Sequence, residues 1–233
     1  MSALAAIGGY GFTYDAENRM ISATLNSTTV YQYDGDGRRV AKINCPGAGT
    51  CTPSTTGAST VWYVYDAAGD VAVEYGQSTM ASALPCTTCY LMPDHLGSTR
   101  VMMDQNGNAV TGGCHDYLPF GEEIYSPVGQ RSTSCYPTTF RSGMLWAGKL
   151  RDGWGESQLD YFGARYYSAL HMRFTTADPL LTSANVAIPQ SWNRYSYGLN
   201  NPLRYIDPNG LYDWDASAGG SLSDEELRKR MED

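Results

Sequence analysis

The chain has 233 residues, a formal net charge of −8 and a charged fraction of only 17%. With no basic run it does not suit nucleic acid as a partner, and no stretch approaches the roughly 20 apolar residues of a membrane-spanning helix. The length admits one β-rich domain or two smaller ones, and 25 glycines and 18 tyrosines favour turns and half-buried strands over helices.

The start, MSALAAIGGYGF, has no basic leader and only a short apolar part, so no signal peptide is expected from the chain as written. A repeat comes next. FTYDAENRMISATL from Phe12, YQYDGDGRRVAKI from Tyr31 and YVYDAAGDVAVEY from Tyr63 each read as strand, turn and strand. Tyr31, Tyr33 and then Val40 alternate with polar neighbours, which predicts a strand pair with one buried face. Asp15, Asp34 and Asp66 open the turns, where a carboxylate accepts from backbone N–H groups two residues on. Gly37 and Gly69 supply the positive φ of a bulged hairpin, and Asn18 replaces them in the first unit.

The Asp-x-x-Gly frame returns at Asp94 to Gly97 and at Asp104 to Gly107, and YLPFGEEIY carries a variant with Leu118 in place of Asp. The insertions 44–60 and 76–89 are rich in Ser, Thr, Gly, Pro and Cys and read as surface loops. Before residue 146 no helix of three turns is expected, so the chain reads as all-β, with each hairpin leaning on its neighbours to bury a face. Six cysteines leave two readings open. Cys45, Cys51, Cys86, Cys89, Cys114 and Cys135 are an even set suited to disulfides in an exported protein, while the pairs Cys45/Cys51 and Cys86/Cys89 are the candidates for a zinc site.

Residues 146–211 form a second kind of sequence, dense in aromatics, with strand-like alternation around Leu159, Tyr161 and Tyr166 and helical turns expected within 179–195. Residues 212–233 form an acidic tail. Ser223 and Glu226 make a capping box and Leu222 with Leu227 its hydrophobic staple, which predicts a short C-terminal helix. The organisation is therefore 1–145, 146–211 and 212–233. His95 beside Asp94, and His115 beside Asp116, point to opposite faces if extended, which argues against joint chemistry. No nucleophile elbow, phosphate loop or His-Glu-x-x-His occurs, so no cofactor is expected.

YQYDGDGRR resembles the YD repeat of the RHS (rearrangement hotspot) proteins. DHLGSTR, YFGARYY, MRFTTADPL and NRYSYGLNNPLRYIDPNGL together resemble the RHS repeat-associated core domain, and the match runs from about residue 12 to 211. The resemblance implies a β-hairpin ribbon curling into part of a spiral shell that encloses a toxin, closed by a compact core or cap module. It also implies that the core module is an aspartyl-type autoprotease cutting its own chain once. The cleavage motif falls on Asp207-Pro208-Asn209-Gly210-Leu211, with scission between Leu211 and Tyr212. The second carboxylate falls on Asp178 and the associated arginine on Arg173. Two carboxylates that share a site cannot both ionise, so one can accept a proton from water while the other donates one. The partners implied are the remainder of an RHS shell or copies of the chain itself, and the location is secreted or cell-surface. The competing reading is an extracellular adhesion or self-assembling β scaffold without enzymatic activity, as the animal teneurins of the same repeat family suggest. The residues themselves supply a competing role for Asp207, as the last of a series of structural Asp turns.

Overall fold

The computed structural model describes residues 9–67, 69–76, 86, 88–138, 143–153, 157–180 and 189–216. The expected C-terminal helix lies outside these residues. The described chain is almost wholly antiparallel β, its helical elements being short 3-10 turns, and none is long and apolar enough to cross a membrane. It divides into two compact units. The first comprises residues up to 83 together with 152–158, and the second comprises 84–151 and the rest.

The first unit is a six-stranded meander in strict chain order: β1 (Gly11–Tyr14), β2 (Met20–Thr24), β3 (Ser27–Tyr33), β4 (Arg39–Pro46), β5 (Ser59–Tyr65) and β6 (Val71–Gly76). The Asp turns behave as their sequence dictates. Asp34 Oδ1 accepts the N–H groups of Asp36 at 3.0 Å and Arg38 at 2.8 Å, and Gly37 closes the turn at φ +80°. Asn18 takes the same left-handed position at φ +62°. Each of these hairpins carries a bulge beside the turn, at Thr13/Tyr14, Gln32/Tyr33 and Val64/Tyr65.

The bulges change which side chains face inward. The alternation placed Val40 on the buried face, but Val40 is half-buried and its neighbour Arg39 is fully buried. Val40 is the extra residue of the bulge opposite Gln32/Tyr33, so that Arg39 rather than Val40 stands opposite Tyr33. Its guanidinium lies over the rings of Tyr31 and Tyr63, 5.1 and 5.2 Å from their centroids. Asp152 supplies the counter-charge. It receives Arg39 Nη1 at 3.0 Å, Tyr31 Oη at 2.8 Å and Ser157 Oγ at 2.6 Å, with Lys42 Nζ at 3.7 Å. The tyrosine stripe is thus packing around a buried cation.

The second unit holds three sheets. One is β7 (Tyr90–Pro93), β8 (Thr99–Met103) and β9 (Ala109–Cys114). A second runs β10 (Gly143–Met144), β11 (Leu150–Arg151), β12 (Asp160–Tyr161), β13 (Tyr166–Ser168) and β14 (Arg173–Phe174), and the third is the hairpin β15 (Tyr205–Ile206) with β16 (Trp214–Asp215). The core of this unit is aromatic. Trp146, Phe162, Tyr167, Phe174 and Tyr197 interlock at ring separations of 4.7 to 6.1 Å. Arg151 is buried against Asp160 through two bonds of 2.6 and 2.7 Å. His115 is likewise buried, and it pairs with Glu123 at 2.5 Å rather than with its sequence neighbour Asp116. Asp116 faces Arg100 and Arg131 instead.

The six sulfurs close three bridges, Cys45–Cys51, Cys86–Cys89 and Cys114–Cys135, so each candidate zinc pair is tied within its own loop. Unfolded without reductant, the protein is expected to show no reactive thiol, and six after reduction. A thiol assay in denaturant measures both. Asp152→Ala leaves Arg39 and Lys42 buried without this carboxylate and is expected to cost about 3–5 kcal/mol in urea unfolding.

Candidate functional site

The second unit brings the two predicted carboxylates to a single guanidinium, but the arginine is not the one the sequence named. Arg173 lies on β14, where its side chain is exposed while the adjacent Phe174 is fully buried. Successive residues of a strand face opposite ways, so seating Phe174 in the aromatic core turns Arg173 outward. The residue that meets the carboxylates is Arg165, at the entrance to β13. Its Nη2 lies 3.0 Å from Asp207 Oδ2 and 3.8 Å from Asp178 Oδ2. Its remaining donors are also used. Nη1 donates to the carbonyl of Arg194 at 3.1 Å, and Nε donates to the carbonyl of Gly210. The guanidinium carbon sits 3.6 Å from the centroid of the Phe174 ring, which fixes its plane. Alternation could not have singled out Arg165, since it precedes β13 and Tyr166, Tyr167 and Ser168 are all buried.

Asp178 follows β14. Its N–H donates to the carbonyl of Arg194 at 2.9 Å, and its Oδ1 accepts the N–H of Leu180 at 2.8 Å. Arg194 reaches back, with Nη2 3.7 Å from Asp178 Oδ1. Pro179 holds Asp178 extended, as Pro208 holds Asp207.

Asp207 opens the loop of the β15–β16 hairpin and is buried. This loop departs from the upstream Asp turns. In those, Oδ1 accepts from the second and fourth residues on, as at Asp94 with Leu96 at 2.9 Å and Ser98 at 3.0 Å. At Asp207 the set is displaced, and Oδ1 accepts from Gly210 at 2.8 Å, Leu211 at 2.9 Å and Tyr212 at 3.1 Å. The last donor is the N–H of the Leu211–Tyr212 peptide itself. The loop is also pinned from outside, since Ala164 N–H donates to the Asn209 carbonyl at 3.1 Å. Gly210 sits at φ +79°, where a side chain is strained, and a β-carbon would crowd Phe162 O and Arg165 N at 3.1 Å. Beyond the loop, Asp213 accepts the N–H groups of Gly198 at 2.8 Å and Leu199 at 3.2 Å.

Burial pushes the Asp207 carboxyl up to about 7. Arg165 and the N–H groups of Tyr212 and Leu211 pull against that rise, and the negative charge of Asp213 adds to it. Burial also raises Asp213 and lowers Arg165. Near neutrality the site therefore holds a proton on Asp207 that an exposed carboxyl would have released. The arrangement is a buried carboxyl accepting the N–H of the Leu211–Tyr212 peptide, and a second carboxylate beside the same cation.

No family model matches the chain. It is 30% identical over 114 residues to the toxin subunit YenC2 of Yersinia entomophaga, covering 48% of this chain and 10% of that protein. It is 27% identical over 217 residues to the tRNA nuclease WapA of Bacillus subtilis, covering 89% and 9%. Among solved structures, the TcdB2-TccC3-Cdc42 crystal structure is similar at a TM-score of 0.59 and 22% identity, over 88% of this chain and 10% of the other. The Photorhabdus luminescens Tc holotoxin pore is similar at 0.57 and 21%, over 94% and 10%. The chain thus spans about a tenth of the length of the proteins it matches. These likenesses fix the fold as one found in Tc toxin chains.

The raised carboxyl gives a stability signature. A folded pKa of about 7 against the usual 3.8 means that the folded state holds a proton the unfolded state has lost. The contribution from Asp207 is fully present below about pH 4 and falls as pH rises to about 7, at most by about 1.4 kcal/mol per pH unit. In urea unfolding, the stability of the wild type minus that of Asp207→Asn is expected to decline over this window. A pH-independent difference would show that Asp207 ionises normally.

Proposed function

We propose that the chain is a structural module of an RHS-type, toxin-complex-like shell, and that residues 146–211 cut the chain once, after Leu211, by an aspartyl mechanism. The observation that carries the second part is the 3.1 Å bond from the Tyr212 N–H to Asp207 Oδ1, made while the other Asp207 oxygen shares Arg165 with Asp178. The array of Asp-turn hairpins and the likeness of the fold to Tc toxin chains support the first part.

The chemistry needs only water. Its oxygen attacks the Leu211 carbonyl carbon while Asp178 takes one of its protons. The carbon–nitrogen bond to Tyr212 then breaks as Asp207 passes its proton to the leaving nitrogen. The products are a carboxyl on Leu211 and an amine on Tyr212, and the pair's one proton has moved from Asp207 to Asp178. Arg165 keeps the two carboxyl groups at one place and favours the ionised member of the pair. The cut divides the module from 212–233 and its continuation in any longer chain. As a component of a toxin complex, the protein acts outside the cell that makes it, together with the rest of its shell.

One observation favours a second reading, a self-assembling or adhesive β scaffold without enzymatic activity. Among the described residues β6 is the last strand of its sheet, and it exposes Val73 and Tyr75, opposite the exposed Val64 and Trp62 of β5. Such an edge favours pairing between copies.

Denaturing mass spectrometry of purified protein is expected to show fragments 1–211 and 212–233. Asp207→Asn and Asp178→Asn should abolish them, and Arg165→Gln should slow their appearance by roughly 100-fold or more. Arg173→Gln should leave the rate unchanged. The rate should also fall as pH rises through about 7, where Asp207 loses its proton. A chain that stays intact across the pH range, together with concentration-dependent assembly in light scattering, would select the scaffold reading.

A further inference from the structure

We infer that the residues after the proposed cut, 212–216, stay docked on the module once the peptide is broken, so that scission alone does not release the downstream chain. This retention presupposes the self-cleavage reading and concerns the fate of its products.

The Leu211–Tyr212 peptide lies in the loop of a hairpin. Upstream of it β15 runs through Tyr205–Ile206, and downstream β16 runs through Trp214–Asp215. The two strands pair as Tyr205 with Asp215 and Ile206 with Trp214. Breaking the loop leaves that pairing intact. Further contacts hold the downstream side without using the broken bond. Asp213 accepts the N–H groups of Gly198 and Leu199 at 2.8 and 3.2 Å. Arg204 meets Asp215 at 2.9 Å through Nη2, and the N–H of Ala216 donates to the Arg204 carbonyl at 2.8 Å.

The reaction adds one contact of its own. The amide nitrogen of Tyr212, 3.1 Å from Asp207 Oδ1, becomes an α-amine with an ordinary pKa of roughly 8. At neutral pH it is charged beside the carboxyl that donated to it, so a neutral hydrogen bond becomes a charge-assisted one. The product therefore occupies the site that formed it. That limits the module to one turnover and makes release a separate step, driven by whatever opens the β15–β16 pairing.

The test pairs two readouts on the full-length chain. Denaturing mass spectrometry reports whether the peptide is cut, and native mass spectrometry reports whether 212–233 is still bound. The expected result is a cut chain whose fragments travel together. Asp213→Asn and the exposed-site variant Arg204→Gln are expected to shorten retention by roughly tenfold or more, with Arg204→Gln leaving the extent of cutting unchanged. A cut chain that has lost 212–233 in the wild type overturns the inference and leaves self-cleavage standing. So does retention that neither variant shortens. If the wild type is uncut, self-cleavage fails and the docking is read directly by amide exchange. Slow exchange at Gly198, Leu199 and Ala216, at least about tenfold faster at the first two in Asp213→Asn, upholds the clamp. Equal rates overturn it.

Discussion

The guanidinium of Arg165 binds carbonyls and carboxylates drawn from three separate stretches of chain: Asp178, the carbonyl of Arg194, and Gly210 with Asp207. A planar fork of fixed donors suits this task in a way an ammonium does not, because each N–H is already aimed. The ring of Phe174 fixes the plane and so links the charge to the aromatic core. The two carboxylates are thus tied through one guanidinium to the packed ring of Phe174. Removing that cation would leave Asp207 buried with backbone N–H groups as its compensation, and Asp178 with the more distant Arg194.

The same device recurs away from the site. Arg39 with Asp152 in the first unit, and Arg151 with Asp160 in the second, bury a cation on an anion within a sheet. Strands of four to eight residues in β1–β6 and β7–β9 offer modest apolar faces, and the β10–β14 sheet is built from strands of only two or three residues. Buried pairs of this kind seldom add much net stability, because desolvation consumes the Coulomb gain, but they penalise every register that would separate the partners. For an array of similar hairpins, in which a strand slipped by two residues still buries tyrosine, this is a physical reason to place arginine inside.

How far the sequence discloses these features depends on how local they are. The turns are legible because an Asx turn and a left-handed glycine are decided within five residues, and Asp15, Asp34, Asp94 and Asp104 all fold as read. The all-β class follows from them, since closely spaced turns leave no length for helices. Facing is legible only while alternation keeps its phase. One bulged residue put Arg39 inside and left Val40 half-buried. The place of an arginine in a motif does not say which way it faces: seating Phe174 in the aromatic core turns Arg173 outward, while Arg165 is buried beside the carboxylates. That Asp178 and Asp207 face one guanidinium is not legible at all, because it depends on how Arg165, before β13, and Arg194 are packed.

The proposed reactive turn differs from its structural siblings in two respects, and both can be traced physically. At Asp104, at the surface and bonded chiefly by the N–H of Asn108, the carboxyl is held below its usual pKa, so a charged oxygen caps the turn. At Asp207 a comparable cage of N–H donors is present, yet burial outweighs it and the carboxyl rises to about 7. The second difference is the displacement of the donors, which carries the cage onto the N–H of Tyr212. An Asp turn already holds a carboxyl against the peptide nitrogens that follow it. On this reading, moving it from solvent into an aromatic core, and its donor set one residue along, is what converts a hairpin cap into a proton donor on a peptide bond. The repeat would then be not merely the scaffold on which the site was mounted, but the source of the site's geometry.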